Sequence, residues 1–567
     1  MKRLYTLLVL LLAATGFAHA QFTRYIIKFT DKKGTPYSFT APSAWLSTKA
    51  IARRTNQQIS YDSTDLPVNP AYLDSIRKVP NVTVLNVSKW LNQVLIRTSD
   101  ANALTKINSF PFVKNTNGIA PRLSVTGTTP QKNKFDDEQP VIPASNGRLQ
   151  GVTGIEGFDY GNNYDQIHIH EGNYLHDQGF TGRGMTIAVL DAGFYSYLTN
   201  PVFDSVRLQN RILGTWDYVT NDASVNEDNS HGAYVFSVLA ANRPGVMVGA
   251  APHASYWLLR TEEAATEYPV EEQNWAAAAE FADSVGVDMI STSLGYSDYD
   301  DDAFSYTHAQ RNGNTAMISI AAKLAAKKGI LVVAAAGNSG NNSTDLKYVG
   351  CPGDADSVFT IGSIDKYGNS AGSSSWGPNG AGLLKPNVVS VGQGAIVAVP
   401  SGSTAVNNGT SFACPNMAGL VCCLWQAFPD FTNMEIIDAV QKSASKYNSP
   451  DYKYGYGIPN FHTAYTLLES SREARNKDNI LSDKWIKAYP VPFTSGFKVL
   501  LKAPETGRAS IRLSNIIGQV IETRVLNVTQ GVVYLVDFSN KQTLAKGVYY
   551  IKYTQGPIKE ILTVVRR

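Results

Sequence analysis

Between residues 164 and 470 the sequence alternates short apolar runs with longer helix-forming stretches. Residues 186–190, 330–334 and 358–361 are apolar at almost every position, so strands formed there would bury both faces. Residues 275–285 and 316–327 carry helical character. Doubly buried strands separated by helices predict an α/β architecture, a parallel sheet with helices on both faces.

What lies on either side differs. Residues 21–120 read as an α+β unit with strands at 25–29 and 94–97 and a short helix at 101–107. The stretch 121–163 is polar, rich in Pro, Gly, Thr, Asn and Gln, and is expected to be a linker open to proteolysis. Residues 471–485 are charged and polar, and are expected to be a second linker. From 486 to 567 the pattern alternates in short segments (498–501, 509–513, 532–538, 548–553, 560–565), as in a small β-sandwich. With 567 residues the chain is long enough for several cores.

Residues 1–20 carry Lys2 and Arg3, an apolar run at 4–14 and Ala18-His19-Ala20, the layout of a cleaved secretory signal. That predicts an exported protein without a transmembrane segment, since the run is too short for a bilayer and none longer follows. Fifty Lys and Arg balance 47 Asp and Glu, for a net +3, which offers no electrostatic case for nucleic acid or an anionic membrane as partner. The four cysteines are too few for a disulfide framework; Cys422 and Cys423 sit in an apolar run and read as core. Export leaves a bridge between Cys351 and Cys414 open.

In open parallel sheets functional groups gather beyond the carboxyl ends of strands. One apolar run ends at Asp191; His231-Gly232 opens an apolar helix; Gly409-Thr410-Ser411 precedes another, with Pro415 expected in its first turn. A serine hydroxyl becomes an effective nucleophile when an imidazole takes its proton and a buried carboxylate orients that imidazole. Asn338, at the end of a further buried run, is positioned to give its amide to the oxyanion. A different serine hydrolase is disfavoured, because α/β-hydrolases carry G-x-S-x-G and the order Ser, Asp/Glu, His. An inactive scaffold kept for adhesion is disfavoured by the presence of all four groups.

Other clusters carry blander readings. His168, His170 and His176 lack a completing carboxylate or thiolate pattern for zinc. Asp298, Asp300, Asp301 and Asp302 could offer oxygens to a structural calcium, but lack the Gly and distant Glu of an EF-hand loop. Glu262, Glu263, Glu267, Glu271 and Glu272 surround a segment expected to flank the substrate cleft, where they could favour basic residues, with a solvated face as the default reading.

Taken together, Val189-Leu190-Asp191-Ala192-Gly193, His231-Gly232-Ala233, Ser293-Leu294-Gly295, Ala336-Gly337-Asn338 and Gly409-Thr410-Ser411-Phe412-Ala413-Cys414-Pro415 resemble the subtilisin-like serine proteases over residues 165–468. The resemblance implies an endopeptidase with Asp191 as orienting carboxylate, His231 as base, Ser411 as nucleophile and Asn338 as oxyanion donor, with no cofactor required. It also implies that Ser293, Leu294 and Gly295 pair with substrate backbone. Gly295 and Gly337 would wall a roomy primary pocket with Gly350 at its floor, suited to large apolar side chains before the cut bond. Asp354 is the acidic group nearest that floor. Cys351 and Cys414 would both lie near this pocket, where a disulfide could hold the loop. Ala233 and Asn416 depart from the Thr and His usual in the family. Residues 24–29 resemble the opening strand of a subtilase pro-domain, which implies a zymogen with its own pro-domain as partner. The tail is similar to the sorting domain of type IX secretion cargo through Tyr489-Pro490-Val491-Pro492-Phe493, Ile517-Gly518-Gln519 and Leu544-Ala545-Lys546-Gly547-Val548-Tyr549-Tyr550, with Val491 departing from the usual Asn. That implies the secretion machinery as a further partner and a secreted or cell-surface destination.

Overall fold

The computed structural model describes residues 22–121, 134–142, 158–226, 229–481, 484–493 and 496–567. The expected signal segment and much of the expected 121–163 linker lie outside these residues. The chain forms two compact units, Met1–Tyr465 and Thr466–Arg567.

The first unit begins with a four-stranded antiparallel sheet in the order Thr83–Ser88, Gln93–Arg97, Phe22–Phe29, Val113–Pro121. Neighbouring strand residues point to opposite faces. Ile27, Val94 and Ile96 pack on Ile76 and Ile107 of helices Pro70–Arg77 and Ala101–Asn108, while Ile26 and Leu95 meet Val270 of a later helix. Both faces are therefore covered, which explains the unbroken apolar run at 94–96. The insertion after the first strand contributes helix Thr48–Asn56, whose Arg53 and Arg54 are buried. Arg54 pairs with Asp283 at 2.8 Å and Asp65 at 3.1 Å, Arg53 reaches Asp283 at 2.5 Å, and Lys328 meets Asp65 at 2.7 Å. Burial works against the Asp283 charge, but Lys89 and the two arginines outweigh it and hold the carboxyl below its ordinary range.

The central sheet has seven parallel strands in the order Val388–Val391, Phe359–Ile364, Leu331–Ala335, Met289–Thr292, Thr186–Asp191, Ser255–Arg260, Ile212–Asp217. Thr186–Asp191 and Leu331–Ala335 are buried throughout, as their apolar runs require. Strand order reverses beside Thr186–Asp191, and Asp191 is that strand's last residue, so the crevice at its carboxyl end is where a site is expected. Helix Thr410–Ala427 is buried along nearly its whole length. It starts early enough that Pro415 lies inside it and not in the first turn. The bond Pro415 cannot give would have gone to the Ser411 carbonyl; the Ser293 hydroxyl donates to that oxygen instead, at 2.7 Å.

The second unit pairs a three-stranded sheet (Ile486–Tyr489, Phe497–Lys502, Val533–Phe538) with a four-stranded one (Val520–Val528, Gly507–Asn515, Gly547–Gln555, Ile558–Arg566). Val499, Leu501 and Phe538 from one sheet share a core with Ile511, Leu513, Ile551 and Tyr553 from the other, which makes a sandwich. Helix Phe461–Ile480 takes in most of the residues expected as a second linker. Its sequence has no Gly or Pro and several Glu, Ala, Arg and Lys, so propensity supports it without an apolar period. No helix among the described residues is long and apolar enough to cross a membrane.

Candidate active site

Asp191 and His231 are both buried, and Asp191 Oδ1 meets His231 Nδ1 at 2.6 Å. The same oxygen accepts the Ala192 N–H at 2.7 Å, which fixes the carboxylate plane. His231 is the first residue of helix His231–Ala240, and its N–H donates to Asn229 Oδ1 at 2.7 Å. Gly232 lets that helix approach: a Cβ there would lie 2.4 Å from the Gly193 carbonyl oxygen.

Ser411 stands in the first turn of helix Thr410–Ala427. The backbone N–H and hydroxyl of Thr410 donate to Asn338 Oδ1 at 2.8 and 3.0 Å, which leaves Nδ2 turned toward the cleft. Gly337 holds φ +104°, a conformation side chains disfavour, and so aims Asn338.

One further carboxylate joins these groups. Glu138 Oε1 accepts from Ser411 Oγ at 3.0 Å and from Asn338 Nδ2, while Oε2 meets His231 Nε2 at 3.0 Å. Among the described residues His231 and Ser411 are linked through Glu138 and not directly. Burial disfavours a charged imidazole, but Asp191 and Glu138 override it and push His231 up to about 10. The segment around Glu138 is seated by its neighbours. Phe135 stacks on the His231 ring with centroids 4.2 Å apart, Asn407 Nδ2 donates to the Glu138 carbonyl at 2.7 Å, and Val141 pairs with Val406. Sequence reasoning passed over Lys134, Phe135 and Glu138 within a polar stretch; the cluster Lys134-Phe135-Asp136-Asp137-Glu138 is the signal that could have marked them.

The remaining expected residues fall as follows. Ser293 is buried, its carbonyl 3.3 Å from Ser411 Oγ; Leu294 is buried and Gly295 exposed. Tyr296 and Cys351 exchange backbone hydrogen bonds at 2.8 and 2.9 Å, which ties the 293–295 segment to the Gly350 loop. A Cβ on Gly350 would lie 3.0 Å from Ser297 Oγ, so that position is more crowded than an open pocket floor. Asp354 does not reach any rim: it is buried, accepting from the Gly313 N–H at 2.7 Å and the Ser319 hydroxyl at 2.5 Å. The anticipated disulfide is absent, as Cys351 and Cys414 are both buried free thiols. Burial pushes Cys414 up to about 12, and its sulfur donates toward the Thr292 carbonyl at 3.5 Å. Asn416 donates to the Gln166 carbonyl at 2.8 Å and Ser390 Oγ at 3.0 Å, and Ala233 is packed in the core.

The histidines serve elsewhere, His170 bonding the Pro459 carbonyl and Ser390 Oγ, and His176 the Tyr160 hydroxyl and Ala250 carbonyl. The acidic loop does not fit a calcium ion. Asp298 accepts from Ser305 Oγ, Asp300 from the Glu267 N–H and Asp301 from the Ala303 N–H, and these carboxylates do not converge. Glu262 and Glu271 are buried, against the solvated face expected of them, because Lys134 reaches in and neutralises them.

Three family models match in succession: "Peptidase S8 propeptide domain, Bacteroidota" over 24–136, "Subtilase family" over 182–457 and "Secretion system C-terminal sorting domain" over 487–565. Subtilisin Savinase of Lederbergia lenta is 30% identical over 291 residues, 51% of this chain and 93% of that protein. Subtilisin E of Bacillus subtilis is 29% identical over 294 residues, 51% of this chain and 68% of its own. Subtilisin of Bacillus pumilus is 28% identical over 294 residues, 51% of this chain and 94% of its own. The sorting domain implies export to the cell surface or beyond. With a relative matched across nearly its whole length, and with the propeptide and the sorting domain each in its place, the chain belongs to the subtilase family and is a serine endopeptidase made as a zymogen.

Proposed function

We propose that the mature enzyme hydrolyses peptide bonds with Ser411 as nucleophile, His231 as general base, Asp191 as its orienting carboxylate, and the Ser411 N–H and Asn338 amide as the oxyanion hole. The observation that carries this reading is the convergence of three donor groups, Ser411 Oγ, His231 Nε2 and Asn338 Nδ2, on the Glu138 carboxylate. Of these, Asn338 Nδ2 is a donor that an oxyanion developing during reaction can use, and Ser411 Oγ and His231 Nε2 are the pair between which the proton passes. When the segment withdraws, the Ser411 proton passes to Nε2 as Oγ attacks the carbonyl carbon. The imidazolium, stabilised by Asp191, then returns the proton to the leaving amine. None of these steps calls on a cofactor. While Glu138 remains, His231 is held as the cation and cannot serve as base, so the precursor is latent.

The same reading takes Ser293-Leu294-Gly295 as a strand that pairs with substrate backbone, and Gly295, Gly337 and Gly350 as borders of an uncharged primary pocket. Support comes from Asp354, whose carboxylate is turned away and satisfied by Gly313 and Ser319. A large apolar side chain before the cut bond gains about 25 cal/mol per Å² buried. The C-terminal sandwich is read as the address that the secretion machinery recognises. The test is kcat/KM of the mature enzyme on peptides with Phe, Leu, Arg and Glu before the scissile bond, beside Ser411→Ala. Cleavage led by Phe or Leu and abolished by Ser411→Ala is expected. Arg leading by tenfold would overturn the pocket reading, and activity surviving in Ser411→Ala would overturn the nucleophile assignment.

A further inference from the structure

Lys134 precedes Phe135 in the segment that fills the cleft, and its ammonium sits among three carboxylates. Glu262 Oε2 lies at 2.5 Å, Glu267 Oε2 at 2.8 Å and Glu271 Oε1 at 2.8 Å, and the Thr266 carbonyl adds a contact at 3.3 Å. The lysine and its cage come from different parts of the precursor. The propeptide match ends at residue 136, whereas the glutamates lie within the subtilase match that begins at 182. When the propeptide leaves, the cage stays.

A vacated cage of this kind is poorly satisfied. The three acceptor oxygens lie within 4.8 Å of one another, and with Lys134 in place the Glu262 and Glu271 side chains are 2% and 1% exposed. Buried like charges repel and lack hydration, and a cation relieves both. Burial pushes Glu267 up to about 7 even with Lys134 present. Glu271 is fixed from behind by the Glu263 and Tyr268 N–H groups at 2.8 and 3.2 Å. Glu262 Oε1 is buried with no hydrogen-bond partner, so the cage holds one acceptor more than Lys134 uses. A guanidinium, with five donors in a fork, could use it.

The cage also lies along the substrate path. The Lys134 N–H donates to the Ala264 carbonyl at 3.2 Å, and the next residue, Phe135, lies over the His231 ring. Any peptide following this track sends one side chain to the carboxylates shortly before its backbone reaches the catalytic groups. Resting on the peptidase reading above, we propose that Glu262, Glu267 and Glu271 form a specificity subsite of the mature enzyme for an Arg or Lys side chain a few residues before the cut bond, and that Lys134 holds this subsite in the precursor.

The experiment uses the mature enzyme and peptides with Phe fixed before the scissile bond, placing Arg, Lys, Leu or Glu in turn at each upstream position. At one position Arg should exceed Leu by about tenfold in kcat/KM, which corresponds to about 1.4 kcal/mol, with Glu the poorest. The quantity read in each variant is the Arg-to-Leu ratio. It should fall toward one in Glu267→Gln, whose carboxylate bonds Lys134 alone among the described residues, and in Glu262→Gln. Cleavage of the Leu series with no Arg advantage anywhere would overturn the subsite and leave the peptidase reading standing. So would an Arg advantage that persists in Glu267→Gln. Calcium binding lost in Glu267→Gln, without an Arg advantage, would assign the cage to a metal and overturn the proposal. Failure to cleave any peptide would remove both readings.

Discussion

At His231 burial and two carboxylates oppose each other, and the carboxylates prevail. A histidine whose pKa is raised in the folded protein, here first by Asp191 and then by Glu138, contributes stability that is complete below its ordinary value near 6.5 and is lost as pH rises toward about 10. The grip of Glu138 on the site should weaken across that window. The rate at which the intact precursor reacts with a small serine-directed acylating reagent should therefore climb between those limits. Glu138→Gln removes one of the two charges, so its precursor should react faster near neutral pH and over a flatter profile; identical profiles for the two proteins would contradict this account. Asn338 carries a second prediction. Replacing it removes the donor that faces the cleft and, with it, the Oδ1 that accepts from the Thr410 N–H and hydroxyl. Asn338→Ala should lower kcat by about 10²–10³ with KM nearly unchanged, the range known for loss of one oxyanion donor, a subtilisin among the cases. Steady-state kinetics on one good peptide checks it, and an undiminished kcat would remove Asn338 from the oxyanion hole.

Among the elements, helix Thr48–Asn56 joins the pro-domain to the central unit through a buried charge network. Arg54→Ala would leave Asp65 and Asp283 facing each other without one of their shared cations. Removing one partner of a buried pair costs about 3–5 kcal/mol. In the intact precursor, with Ser411→Ala added to remove any peptidase activity during the measurement, Arg54→Ala should shift the urea midpoint clearly downward; an unchanged midpoint would show that the network contributes nothing. This helix also marks a limit of what the sequence discloses. Three strands of the central sheet, Thr186–Asp191, Leu331–Ala335 and Phe359–Ile364, were legible because burial on both faces writes itself as consecutive apolar residues, and Asp191, His231, Asn338 and Ser411 were legible because each stands at or just past the end of such a strand or at the start of a buried helix. The sandwich strand Val520–Val528 was not, since most of its side chains are exposed and no alternation is enforced. Residues 134–142 were hidden for a different reason. They owe their position to contacts with His231, Asn338, Val406 and the three glutamates, all far away in the sequence, and have only a single short turn of their own. The buried arginine network is equally non-local, and charge there gives no warning of burial.

Across the whole molecule, propeptide, peptidase and sorting domain follow one another in the order in which a precursor would use them. The sandwich has its own core and strand pairing, so a chain ending after Leu468 should mature into an active peptidase when produced and purified directly. Export from a type IX-competent cell should fail for that chain, and normal release of the truncated form would refute the sorting role of the tail. The account as a whole rests on Ser411 being a live nucleophile once Glu138 is gone. Treating the mature enzyme with a fluorophosphonate and locating the adduct by peptide mass spectrometry tests this directly. The prediction is a single adduct on Ser411, formed in step with loss of peptidase activity and blocked by a competing peptide. An enzyme that cleaves peptides yet stays unmodified at Ser411, or that loses activity through an adduct at another residue, would contradict it.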